Sequence, residues 1–263
     1  MSNDIWILTD QPTENGILGF SHYAKTIARV INNTQTPLTI GILGDWGVGK
    51  TTLMKMIKKE LDVHEYMVTI WFNAWRYQYE KNFAIVPLLQ TISLALRKIS
   101  ENKIKKYANK ILPIIDNLAR LFTFSITFPY ATIMPQASLK ISLPKEELSP
   151  SKEFFYAEEL EKLEKTLSEI NKERLSKGEQ EFKFVIFIDD LDRCLPDKAL
   201  ELIETIKVFL DIHGFIYVLA LNPKILTDFI KARYKDDVVK EEDFGEKYFR
   251  KIIQLPFFIP ELR

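Results

Sequence analysis

Apolar residues fall into two kinds of pattern along this chain, short continuous runs and longer stretches spaced three and four apart. The run Leu38 to Leu43 (LTIGIL) lies between Pro37 and Gly44 and reads as a buried strand. Val68 to Phe72, Phe184 to Ile188 (FVIFI) and Phe215 to Leu221 (FIYVLAL) repeat the pattern, and Ile252 to Phe258 is a candidate final strand. FVIFI is continuous rather than alternating, as expected of a strand covered by helices on both faces. Between these runs, Leu53, Met54, Ile57 and Leu61 recur at helical spacing and predict a helix over about 50–61. Further helices are expected over 84–99, 153–175, 225–233 and 244–250, and over 196–211, which begins at Pro196 and ends before Gly214. Strands alternating with helices predict an α/β fold built on a doubly wound, mostly parallel sheet.

One region resists this reading. Residues 101–150 carry Pro113, Pro129, Pro135 and Pro144, and are expected to be an irregular or helical insertion within one domain spanning 1–263. The most apolar stretch, Leu121 to Pro135, contains two prolines and falls short of the roughly 18–20 residues that cross a bilayer. In the helix over 153–175, Leu160, Leu163, Leu167 and Ile170 form one stripe, expected to pack on its own domain rather than in a coiled coil.

Composition excludes more than it proposes. The 263 residues hold 36 Lys plus Arg and 36 Asp plus Glu, so bulk electrostatic capture of nucleic acid is not expected. The single cysteine, Cys194, excludes an intramolecular disulfide and a cysteine-based zinc site, and the three histidines have no metal-ligand spacing. The first ten residues lack a basic segment before an apolar run, so a cytoplasmic location is expected.

The chemistry concentrates at two strand ends. Gly44-Asp45-Trp46-Gly47-Val48-Gly49-Lys50-Thr51 satisfies G-x-x-x-x-G-K-[ST] between a predicted strand and a predicted helix. Such a loop needs glycines because its backbone N–H groups must turn inward around phosphate oxygens, while the helix N-terminus adds a favourable dipole. Lys50 is expected to meet the β- and γ-phosphates of a nucleoside triphosphate, Thr51 to offer its hydroxyl to Mg²⁺, and Thr52 to belong to the same binding set. The second strand end carries Asp189, Asp190, Asp192 and Arg193 (IDDLDR). Asp189 is the expected magnesium residue and Asp190 the group that orients or deprotonates water. Arg193 either neutralises charge on the γ-phosphate or pairs with Asp190 or Asp192. Asn222, at the end of the fourth strand, either contacts the γ-phosphate or its water, or is a turn residue before Pro223.

Four segments together resemble the KAP family of P-loop NTPases, a branch of the additional-strand ATPases related to STAND signalling proteins. They are Leu18-Gly19-Phe20 with Tyr23-Ala24, the loop from Gly44 to Thr51, Phe72-Asn73-Ala74-Trp75, and IDDLDRC from Ile188 to Cys194. The resemblance implies ATP as the nucleotide, Lys50 and Thr51 on phosphate and magnesium, and Asp189 and Asp190 as the metal and water-activating acids. It also implies signalling, and for bacterial members phage exclusion. Members often insert transmembrane helices where residues 101–150 stand, which leaves peripheral membrane contact as an expectation here. Asn222 departs from the aspartate more usual at that point. Trp75 is expected to pack the end of the second strand or to flank the nucleotide pocket.

Three function classes follow. A nucleotide-driven switch would couple triphosphate binding and slow hydrolysis to an effector protein or to homo-oligomer assembly. A small-molecule or nucleoside kinase would share the loop but needs an arginine-rich lid, whereas residues 101–150 offer mainly Lys103, Lys105, Lys106 and Lys110. A scaffold that binds nucleotide without turnover is the third, against which the paired Asp189 and Asp190 weigh.

Overall fold

The computed structural model describes residues 19–79, 85–100, 104–127, 152–210, 212–233 and 244–260. Five strands form one sheet: β1 (Leu38–Leu43), β2 (Met67–Asn73), β3 (Lys183–Asp189), β4 (Phe215–Leu221) and β5 (Leu255–Phe258). Their spatial order is β2-β3-β4-β1-β5 and every pairing is parallel. β4 therefore lies between β1 and β3, the two strands that carry the chemical motifs.

Side chains alternate across the sheet and feed two cores. Ile40, Ile42, Val185, Phe187, Ile216 and Val218 face α1 (Phe20–Asn33) and α2 (Lys50–Leu61). Phe184, Ile186, Ile188, Phe215, Tyr217 and Leu219 face the opposite layer. That layer is built from α3 (Ile85–Lys98), α4 (Lys105–Thr127), α5 (Lys152–Ser176), α6 (Pro196–Leu210) and α7 (Pro223–Arg233), with α8 (Phe244–Ile252) at its margin. All seven residues of β3 and of β4 are buried, so each strand must be apolar on both faces, which is why their sequences do not alternate. Each fully buried Ile, Leu or Phe contributes about 1.5–3 kcal/mol relative to exposure.

Two differences between the sequence reading and the structure stand out. The insertion, expected to be irregular or helical, is helical over residues 105–127, with Pro113 inside the helix. Tyr107, Ile111, Ile115 and Leu118 of α4 are buried against α3 and α5, and this apolar face outweighs the helix-breaking cost of one proline. Pro129, Pro135, Pro144 and the rest of the apolar stretch lie outside the described residues. The second difference is α1, absent from the expected elements. It buries Phe20, Ala24, Ile27, Ala28 and Ile31 on one face. Its C-terminal end is held from β3, where buried Lys183 donates its Nζ to Asn32 O at 3.0 Å and Thr34 O at 2.7 Å. Burial lowers the pKa of this ammonium.

α5 packs Leu163, Leu167 and Ile170 into its own domain, as expected. No helix among the described residues is long and apolar enough to cross a membrane.

Candidate functional site

The carboxyl ends of the strands bring the motifs together. β1 runs into Gly44, whose N–H donates to Leu221 O of β4 at 3.4 Å. Gly47 and Gly49 adopt φ of 82° and 95°, the left-handed region that side chains disfavour. Gly49 also lies against α1, because a Cβ there would sit 2.6 Å from Phe20 Cε2. The turn places the first residues of α2, starting at Lys50, over the end of β3. A cavity of about 690 Å³ opens above these strand ends, lined among others by Gly47, Lys50, Thr51, Thr52, Lys55, Trp71, Tyr77, Asp189 and Asp192.

Lys50 is nearly buried, and its Nζ donates to Gly44 O and Asp45 O, both at 2.9 Å. Its ammonium also lies 3.4 Å from Asp192 Oδ2, an ion pair without hydrogen-bond geometry. The Thr51 hydroxyl donates to Asp189 Oδ1 at 3.1 Å, which joins the loop to the acidic strand across 138 positions of sequence. Burial, and then the adjacent Asp190 carboxylate, push the Asp189 carboxyl up to about 6, although the Thr51 hydrogen bond acts the other way.

Asp190 is held on both sides. Asn73 ends β2 in register with Asp189, and its Nδ2 donates to Asp190 Oδ2 at 2.6 Å. The same amide accepts Arg76 N–H at 3.2 Å through Oδ1, which fixes its orientation. Arg193 Nε meets Asp190 Oδ1 at 2.8 Å, so of the two roles open to Arg193 the pairing is the one observed. Asp190 has φ of 57°, and Leu191–Arg193 follow as a short 3₁₀ turn.

Asn222 stands as the turn residue before Pro223 and also reaches the phosphate loop. Its Oδ1 accepts Lys224 N–H at 3.0 Å, capping α7 ahead of Pro223, while its Nδ2 donates to Asp45 Oδ1 at 2.9 Å. Trp46 is exposed at the cavity rim. Val48 fits under Gly44, where a Cβ would sit 2.8 Å from Val48 Cγ2. Trp75 departs from expectation: it is about half exposed and does not line the cavity, whereas Trp71, stacked on Phe187 at 5.9 Å, does. Cys194 is buried, and burial, with help from Asp190 and Asp192, pushes its thiol up to about 12.

Asn73 and the Lys50 contact of Asp192 escape a reading of sequence. Asn73 closes an apolar strand within one of the four segments that carry the family resemblance, but neither signal names its partner, which lies 117 positions away.

The donor set fits magnesium. Mg²⁺ takes oxygen ligands, keeps several waters and uses one or two carboxylates, and here a hydroxyl and one carboxylate oxygen stand 3.1 Å apart below the phosphate loop. No group of three or more acidic, histidine or cysteine side chains that could hold a metal ion is found among the described residues.

The phage T7 exclusion protein of Escherichia coli strain K12 is 25% identical over 258 residues, which are 92% of this chain and 33% of that protein. The chain thus spans about a third of the length of that relative. The kinase D-interacting substrate of 220 kDa from rat and from human is 31% identical over 77 residues, 29% of this chain and 4% of those proteins. Among solved structures, the Aeropyrum pernix ORC1 protein in complex with DNA aligns over 95% of this chain and 47% of that one, at 14% identity and a TM-score of 0.45. A model of the KAP family P-loop domain matches residues 20–263, and with its phosphate loop, acidic strand and intervening β4, the chain belongs to the KAP family of P-loop NTPases.

Proposed function

We propose that this domain is a magnesium-dependent nucleoside triphosphatase, with ATP as its nucleotide, that works as a switch. The observation that carries this reading is the Thr51 to Asp189 hydrogen bond at 3.1 Å, because it sets the metal-binding hydroxyl and carboxylate beside the phosphate loop. Lys50 and the N–H groups of the loop and of α2 would hold the β- and γ-phosphates. Mg²⁺, when bound at Thr51 and Asp189, would neutralise phosphate charge and fix the geometry of the γ-phosphate. Asp190 would take a proton from water as its oxygen bonds to the γ-phosphorus and the bond from the γ-phosphorus to the β–γ bridging oxygen breaks, giving the nucleoside diphosphate, phosphate and a released proton.

The hold that Asn73 and Arg193 keep on Asp190 supports a switch rather than a fast enzyme. Asn73 donates to one carboxylate oxygen and Arg193 pairs with the other, so the carboxylate is oriented by its two partners while each oxygen keeps a lone pair for water, and turnover depends on how those partners are set. The E. coli relative carries phage exclusion in its name, and we extend that to a defence role here, exerted through an effector protein or through assembly of copies.

The test is magnesium-dependent ATP and GTP hydrolysis across a wide range of protein concentration, beside Lys50→Ala and Asp190→Asn. Turnover lost in Lys50→Ala, and suppressed in Asp190→Asn while nucleotide still binds, is expected. Failure of either nucleotide to bind at millimolar concentration refutes the reading.

A further inference from the structure

We propose that Asp192 reads the occupancy of the phosphate loop through Lys50 and passes it to the turn that carries Asp190; this rests on the triphosphatase reading above. Asp192 is an acid buried at the floor of the nucleotide cavity, its side chain 4% exposed. Its Oδ2 accepts no hydrogen bond, and among the described residues Lys50, at 3.4 Å, is its one ion-pair partner. A buried carboxylate is tolerable only while a counter-charge stands beside it.

A triphosphate would change that balance. The Lys50 ammonium has two acceptors in the loop backbone and Asp192 as its third contact. Phosphate oxygens reaching Lys50 would compete for the side of the ammonium that faces Asp192, and would draw it from an acid that shows no second ion-pair partner among the described residues. Asp192 must then turn away from the cavity.

It cannot do so alone. Asp192 is the middle residue of the 3₁₀ turn Leu191–Arg193, which is closed by Arg193 N–H to Asp190 O at 3.3 Å and Cys194 N–H to Leu191 O at 3.3 Å. The turn also starts from the left-handed backbone of Asp190, and its last residue supplies the guanidinium that holds Asp190 Oδ1. Outward movement of Asp192 that carries the turn with it would shift Arg193 relative to Asp190 and change the ion pair that orients this carboxylate toward water. Asp192 is on this account a positioning residue: it opposes nucleotide binding and makes turnover conditional on it.

The consequence is opposite to that of structural damage, which gives it a clean test. Asp192→Asn keeps the shape, removes the competing charge and removes the trigger. Titration calorimetry with Mg²⁺ and the slowly hydrolysed analogue ATPγS should show Asp192→Asn binding about tenfold more tightly than the unaltered domain, the worth of one lost charge competition. At saturating ATP its turnover should fall at least about tenfold. Weaker or equal binding overturns the proposal, since Asp192 would then hold Lys50 in place or be a bystander. Tighter binding with unchanged turnover overturns the link to Asp190. If the unaltered domain binds no ATPγS, the triphosphatase reading fails and this one with it.

A second measurement needs no nucleotide and decides the case if Asp192→Asn alone is poorly folded. Lys50→Ala leaves Asp192 without its partner and should lower Tm, and adding Asp192→Asn to Lys50→Ala should raise Tm again. A further fall in the double variant would refute the pairing on which the proposal depends.

Discussion

The contact between Gly49 and Phe20 offers a test of how the phosphate loop is held, separate from any nucleotide. Gly49 combines a φ of 95° with a position where an added Cβ would lie 2.6 Å from Phe20 Cε2 and 3.1 Å from Cζ. The Phe20 ring is 3% exposed and packed with α2 and β1 side chains, so it has little room to retreat. Gly49→Ala therefore meets two costs, about 1–2 kcal/mol for left-handed backbone with a Cβ and about 1–3 kcal/mol for overpacking. Their sum, about 2–5 kcal/mol, is a large share of the roughly 5–15 kcal/mol that holds a domain folded. Only the second cost should respond to Phe20. Phe20→Leu withdraws the ring atoms, with a cost of its own of about 1–3 kcal/mol for lost packing. Urea unfolding of the two single variants and the double variant, without nucleotide, separates these terms. The double variant should be more stable than the sum of the singles predicts by about 1–3 kcal/mol, because the ring that clashed is gone. Additivity to within about 0.5 kcal/mol would refute the steric reasoning and leave the backbone cost alone. A Gly49→Ala cost below about 1 kcal/mol would refute both.

Three further outcomes follow from the site. The Asp189 carboxyl moves from 3.8 to about 6 on folding, so the native state keeps a proton that the unfolded chain has released. That stability is fully present below 3.8 and is lost as pH rises through about 6, amounting to about 3 kcal/mol at 1.36 kcal/mol per pKa unit. Urea titrations from pH 4 to 7 should show it as a difference between the unaltered domain and Asp189→Asn, and a constant difference would refute it. Cys194, with its thiol near 12, should resist iodoacetamide and disulfide reagents at pH 8 until urea unfolds the chain, which mass spectrometry of the native protein checks. Asn222→Asp keeps the oxygen that caps α7 but sets a second carboxylate against Asp45, so helix stability should survive while loop order and nucleotide affinity fall. Equal affinity in Asn222→Asp would show that the 2.9 Å contact to Asp45 has no part in binding.

Local chemistry was legible in the sequence, and distant pairing was not. The glycine spacing of the phosphate loop and the apolar run ending in Asp189 are contiguous signals, and β3 and β4 follow from apolar runs that are buried on both faces. The extent of α4 was obscured by Pro113, since a proline argues against an unbroken helix until the buried face that overrides it is known. α1 has a regular apolar face but lacks the end signals that mark a helix, with no side-chain cap at Gly19, no acid in its first turn and no base in its last. Asn73 with Asp190, Asp192 with Lys50 and Asn222 with Asp45 lie 117, 142 and 177 positions apart, and they exist only because the strand order places those ends side by side.

That order also explains why so many charges share one edge. Neighbouring strands stand about 4.8 Å apart, so the insertion of β4 sets β1 and β3 about 10 Å from each other. The first turn of α2 bridges that gap through Thr51 and Asp189, and Lys50 bridges it again through Asp192. Asn222, on the intervening β4, ties the loop to α7 from the middle. Each bridge joins the phosphate loop to a different element: the acidic strand, the turn that holds the proposed base, and the helix that packs with α8. α8 in turn leads into β5, whose end returns to β1 where Ile259 N–H donates to Leu43 O at 2.9 Å. A phosphate group entering the loop would therefore meet all three bridges and act on them unequally. Two of them rely on charged groups that it would recruit for itself, Lys50 directly and Asp189 through the metal. The third is a neutral amide, so the connection to α7 should persist while the acidic turn rearranges, and the switch should be felt at β2 and β3 rather than along α7.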